Sequence, residues 1–218
     1  VNFSELQSEV SYFLDDLDFG YHTRVTVQRY LNQAQREVQK LLLASAQNWY
    51  NKCQQATTVA NACAYYLPSD FLKMHRVELV LSGTAPNEDI NVLEAVTLNQ
   101  QDLVESRSGT PTAYCIQKNQ IKLFPVDNTA THTLRITYSH RVSDMSADTD
   151  VPDVPEEFHE MLVLLAARDG FLRDDRATLE LDTKIQAYKN ALKSDASDRI
   201  QSRARRVVVT RSGAGDSW

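Results

Sequence analysis

Apolar residues recur at three- and four-residue steps along both ends of the chain and at two-residue steps along its middle, so the pattern predicts helices flanking strands. Phe3, Leu6, Val10, Phe13, Leu14 and Leu17 fall on one helical stripe, and Asp18-Phe19-Gly20 is expected to end that helix. Val27, Tyr30, Leu31, Ala34, Val38, Leu41 and Leu42 repeat the period over a longer helix with Thr23 as its N-cap. Two such stripes need a third partner. The stretch Val151 to Asp169 supplies it: its prolines and the acids Glu156 and Glu157 lead into Met161 to Ala167, apolar on every face and therefore a helix buried on all sides. That run is far short of the ~20 residues needed to cross a bilayer. Leu181, Ile185, Tyr188 and Leu192 mark a final amphipathic helix with Asp174 or Asp175 near its start, and from Ser197 onward the periodicity disappears.

After Trp49, β-branched and aromatic residues come in short runs separated by turn formers. Gln55 to Val59 and Ala62 to Leu67 read as a hairpin around Asn61, and Arg76 to Leu81 as a third strand ended by Ser82-Gly83. Thr97 to Ser106 reads as a short helix capped by Thr97, with Leu98, Asp102 and Glu105 around it. Ala113 to Gln117 and Gln120 to Phe124 flank Lys118-Asn119, a tight turn in which Asn119 is expected in the left-handed conformation. Thr133 to Tyr138 alternates Leu134, Ile136 and Tyr138 against Arg135 and Thr137, and Asp144 to Asp150 is a polar linker back to helix. The expected fold class is α+β. A helical bundle is built from the hairpin 1–50 and the helices of 144–198, with a small antiparallel β-domain inserted at 51–143 and an extended arm at 199–218.

Charge sharpens the picture at one place. The formal net charge is −6, yet the segment from Arg199 to Trp218 holds five arginines against the single acid Asp216, so the body is the more strongly acidic part. An acidic body does not seek nucleic acid, whereas a basic arm suits acidic protein or phosphate. The arm has nothing to fold on alone and is expected to order on a partner. Arg203-Ala204-Arg205-Arg206 also admits a nucleic-acid-binding module, although it lacks interleaved aromatics and a folded platform. No leader of the secretory type is expected.

Candidate chemistry is sparse. Cys53, Cys63 and Cys115 form no CxxC pair, and their odd number argues against a disulfide framework. His22, His75, His132, His140 and His159 are scattered, none in HExxH, and His159 reads as a solvated residue on a polar helix face. Asp144, Asp148 and Asp150 fail as a calcium loop, since Thr149 and Pro155 stand where Gly and Glu are needed. No GxGxxG, P-loop or GxSxG motif occurs, and a pairing of Cys53 or Cys115 with a distant histidine has no local support. Neither an enzyme nor a cofactor is expected.

Several stretches, in order, resemble the head-to-tail adaptor (connector) proteins of tailed bacteriophages. They are Tyr30-Leu31-Asn32-Gln33-Ala34, Tyr66-Leu67-Pro68-Ser69-Asp70-Phe71-Leu72 and Gly109-Thr110-Pro111-Thr112-Ala113-Tyr114, then Ile121-Lys122-Leu123-Phe124-Pro125 and Val154-Pro155-Glu156-Glu157-Phe158. Each also has a plain physical reading: in Leu-Pro-Ser-Asp-Phe, proline stops a strand, Ser69 or Asp70 bonds the following backbone, and Phe71 returns to the core. The resemblance implies a structural virion protein at the head–tail junction, made in the bacterial host cytoplasm. It implies a homo-oligomeric ring of about twelve copies below the portal, bound to portal and to tail or nozzle proteins, with genomic DNA passing through its lumen without sequence-specific binding. By the same resemblance the arm is portal-binding through Ile200, Arg203, Arg205, Arg206, Val207, Val208, Val209, Arg211 and Trp218, and the β-domain turns at Asn61, Gly83 and Asn119 face the tail.

Overall fold

The computed structural model describes residues 1–45, 49–97, 109–128 and 131–201. The chain divides into two compact units, one of residues 1–47 with 144–218 and one of residues 48–143. The first is helical and the second is built on strands.

In the helical unit, α1 (Phe3–Leu14) opens with a capping box: the Asn2 side chain accepts from the Glu5 amide at 2.9 Å and Glu5 accepts from the Asn2 amide at 2.8 Å. It ends earlier than the expected Asp18-Phe19-Gly20, because Asp15 turns left-handed at φ 56° and sends its N–H back to Ser11 and Tyr12. Leu17 therefore leaves the stripe and is 65% exposed. The Asp16 carboxylate then gathers the amides of Gly20, Tyr21 and His22 at 2.6–3.0 Å, which shapes the connection to α2 (Arg24–Ser45). Thr23 caps α2 as expected, accepting from the Thr26 amide at 3.4 Å, and Val27, Leu31, Ala34, Val38 and Leu42 are buried.

The returning segment is pinned rather than free. Asn32 donates to the Met145 carbonyl at 3.0 Å and accepts from its amide at 2.8 Å, Arg36 pairs with Asp144, and the Phe3 amide bonds the Asp150 carbonyl. A 3-10 turn (Glu156–Phe158) leads into α3 (His159–Arg173), in which every residue from Met161 to Ala167 is 1% exposed or less. α3 packs against α1, α2 and α4 (Leu179–Gln201), as its all-round apolarity requires. His159 departs from expectation: it is 5% exposed, with Nε2 2.9 Å from the Val154 carbonyl oxygen. Neither Asp174 nor Asp175 starts α4; Asp174 caps α3, Asp175 is left-handed, and the Thr178 hydroxyl bonds Asp182 in the first turn of α4. Leu181, Ile185 and Leu192 are buried, and the helical backbone continues through Arg199 and Ile200 to Gln201, beyond the point where periodicity ceases.

The second unit is two four-stranded sheets. The first runs β1 (Asn51–Thr57), β8 (Thr133–His140), β3 (Phe71–Ser82), β4 (Asp89–Val92). The second runs β2 (Ala64–Tyr66), β7 (Gln120–Phe124), β6 (Ala113–Gln117), β5 (Glu94–Ala95), antiparallel except for β5 on β6. The hairpin expected around Asn61 is not formed: β1 pairs with β8 and β2 with β7. Asn61, left-handed at φ 61°, carries the chain from one sheet to the other, its amide bonded to the Asp127 carbonyl at 2.7 Å. The third strand is longer than predicted, with irregularities between Phe71 and Lys73 and between Met74 and Arg76 that break its period. The β6–β7 hairpin has the expected register, Gln117 opposite Gln120, but Lys118 (φ 55°) rather than Asn119 takes the left-handed conformation. Leu67, Val77, Leu79, Leu93, Ile121, Leu123, Leu134, Ile136 and Tyr138 form one core between the sheets. The unit's first strand opens beside the end of its last, Asn51 opposite Ser139. The helix expected at Thr97 to Ser106 lies, beyond Thr97, outside the described residues.

Candidate interaction surfaces

The two groups of residues expected to make contacts fare differently. Arg203, Arg205, Arg206, Val207, Val208, Val209, Arg211 and Trp218 lie outside the described residues, and Ile200 belongs to the last turn of α4. The three turn residues are described but not brought together. Asn61 and Gly83 sit at the strand end where Thr57 and Val80 both pair with Thr133. Asn119 sits at the opposite end, its carbonyl accepting from the Leu67 amide at 2.8 Å, beside Tyr66 opposite Gln120. Gly83 is held at φ 90°, and a Cβ there would meet the Asn87 carbonyl oxygen at 2.3 Å, so only glycine fits the turn.

Several charged groups among the described residues of the β-unit neutralise one another. Arg135 lies between Glu78 at 3.4 Å and Glu88 at 2.8 Å, with Arg76 on the other side of Glu78, and the Arg135 guanidinium holds Glu88 below the usual carboxylate range. The Asp70 carboxylate takes the Lys52 ammonium at 2.8 Å and the Tyr138 hydroxyl at 2.9 Å. The bond from Lys52 lowers Asp70 against the opposing cost of burial. Burial first, and Asp70 second, push the Tyr138 phenol up to about 12. These are ties across strands.

The histidines are dispersed in the same manner. His22 meets Asp174 at 2.9 Å, His132 meets Asp127 at 3.0 Å, His75 meets Ser139 at 2.6 Å and His140 meets the Tyr50 carbonyl at 2.8 Å. Among the described residues no three His, Cys, Asp or Glu side chains are placed to hold a metal ion. Cys53 and Cys63 are exposed and Cys115 is buried, and none of the three is in a disulfide.

One surface escaped the sequence reading. Leu17, Tyr21, Val25, Leu172 and Leu179 are all exposed, and they come from the α1–α2 connection, the start of α2, the end of α3 and the start of α4. Arginines lie over aromatic rings in the same region, Arg24 at 5.3 Å from Phe19, Arg173 at 5.5 Å from Tyr21 and Arg176 at 4.0 Å from Phe171. Exposed apolar and aromatic groups with arginine are the composition of protein–protein contacts. The stripe pattern hid this cluster, since Leu17 reads there as core.

No curated protein matches the chain. The family model of the SU10 adaptor protein matches residues 1–212, and the chain belongs to that family. It is thus a head-to-tail adaptor of tailed-phage virions, a structural and non-catalytic component that bridges portal and tail at the head–tail junction.

Proposed function

We propose that this adaptor works as a closed ring of about twelve copies directly below the portal, coaxial with the DNA channel. The match to the adaptor family over nearly the whole chain is the observation that carries this reading. A cyclic ring needs a heterologous interface, one face of each copy fitting a different face of the next. The end of the β-unit that bears Asn61 and Gly83 faces the tail or nozzle proteins, and Asn119 belongs to the opposite end. The arm reaches the portal, where Val207, Val208 and Val209 add as a strand to a sheet edge, Arg211 meets carboxylates and Trp218 anchors the end. An acidic lumen lets genomic DNA slide without sticking. The chain is made in the bacterial host cytoplasm before joining the particle.

Cryo-electron microscopy of the virion's head–tail junction tests the reading. The expected result is a twelvefold ring below the portal with the end of the arm, from Val207 to Trp218, lodged in portal subunits. Density for this chain elsewhere in the particle would overturn it. Truncation after Gln201 is expected to abolish portal attachment and leave circular dichroism of the body unchanged; a truncated chain that still docks would remove the role given to the arm.

A further inference from the structure

Between α1 and the start of α3 lies an open groove of about 710 Å³, whose lining includes Leu6, Tyr12 and Phe13 together with Glu9, Glu156 and Glu160. No lysine or arginine is among its lining residues. His159 is a further wall, and its Nδ1 is buried without a hydrogen-bond partner. The groove therefore presents three carboxylates beside apolar and aromatic side chains. Its complement is a donor-rich, cationic segment.

We infer that the groove receives the arginine-rich segment from Ser202 to Arg206 of a second copy of this chain, which fastens neighbouring adaptors to each other. Three arginines in that segment, Arg203, Arg205 and Arg206, answer the three glutamates, and guanidinium N–H groups suit carboxylates. The direction of α4 decides whose arm it is. Tyr188 on α4 bonds Glu160 at the groove, and the helix runs on from Tyr188 to Gln201, about 20 Å at ~1.5 Å per residue. From Gln201, the chain has only ~7 Å of contour by Arg203 and ~16 Å by Arg206, too little for the three arginines to double back together onto their own groove. The arginines are delivered away from their own body and toward a neighbour. This rests on the ring reading and adds the clasp between copies; the arm beyond Val207 remains available to the portal.

The test uses the full chain with Tyr12 replaced by photoreactive p-benzoylphenylalanine, as an equal mixture of isotopically light and heavy protein. Irradiation followed by mass spectrometry is expected to give cross-links from position 12 to residues 202–206, about half of them joining light to heavy chains. Cross-links confined to one isotope would place a copy's own arm in the groove and overturn the inference, as would cross-links that miss residues 202–206 or none at all. Glu9→Lys with Glu156→Lys is expected to lower the yield about tenfold. Adding Arg203→Glu, Arg205→Glu and Arg206→Glu to those two changes is expected to restore it, and failure to restore it would refute the charge pairing. A ring seen by microscopy without these cross-links would sink the clasp alone, because body faces can close a ring by themselves.

Discussion

Asp70 shows what a single turn residue does here. The sequence places it after a strand-stopping proline, but its carboxylate partners, Lys52 and Tyr138, come from distant strands that the local pattern does not name. The consequence is a pH dependence with a defined sign. Asp70 and Asp16 are both held below the ordinary carboxylate range, Asp70 chiefly by Lys52 and Asp16 chiefly by the His22 amide. A carboxylate depressed in the folded state stabilises the fold above its unfolded value of roughly 3.9, and that contribution is lost as pH falls through the folded value. Tyr138 behaves oppositely: raised to about 12, it stabilises below the unfolded phenol value and loses this as pH rises from roughly 10 toward the folded value. Thermal melts across pH are expected to show losses on both limbs, with Tyr138→Phe flattening the alkaline one and Asp70→Asn the acid one. An unchanged alkaline limb in Tyr138→Phe would contradict the assignment. Gly170 gives a second test, because a Cβ there would stand 2.5 Å from Leu14 Cδ2. Gly170→Ala is expected to lower stability by about 1–3 kcal/mol through crowding, despite a gain of about 1 kcal/mol in helix propensity; a raised melting temperature would refute the close packing.

Elements divide by whether their partners are local. The run from Met161 to Ala167 announces a helix covered on all sides, and the structure covers it with three helices. Leu164→Ala should therefore cost about 2–5 kcal/mol, read from the urea midpoint, and a loss below about 1 kcal/mol would mean that the helix is less enclosed than described. Helix centres were legible because period and burial coincide within one segment. Helix ends were less so: Asp15 turns left-handed and strands Leu17 outside the stripe, while Asp174 closes α3 instead of opening α4. Strand pairing was the least legible. Nothing local distinguishes a hairpin at Asn61 from a crossing between sheets, since that choice is made by β8 and β7, which follow much later in the chain. His159 was misread for a related reason: its neighbours Glu157 and Glu160 are polar, but the surrounding helices bury the ring.

At the scale of the molecule, the order of short structural motifs along the chain resembles that of the adaptor family, and the family match spans nearly the same length. The groove at the head of α3 was not legible, because its walls combine α1 and α3, far apart in sequence. The β-unit begins and ends side by side, Asn51 opposite Ser139, while Asn32 and Arg36 hold Met145 and Asp144 against α2. From Arg36 to Ser45 is about 14 Å of helix, a gap that about six extended residues span. Replacing residues 49–143 by a short Gly-Ser linker is expected to leave a cooperatively melting helical protein, and loss of the sharp transition in circular dichroism would show that the helices need the strands. An insertion whose two ends meet is exchangeable. The same helical frame can be refitted with a β-unit of another shape; under the tail-facing role proposed for that unit, one head attachment would be matched to tails of different design by replacing a single cassette.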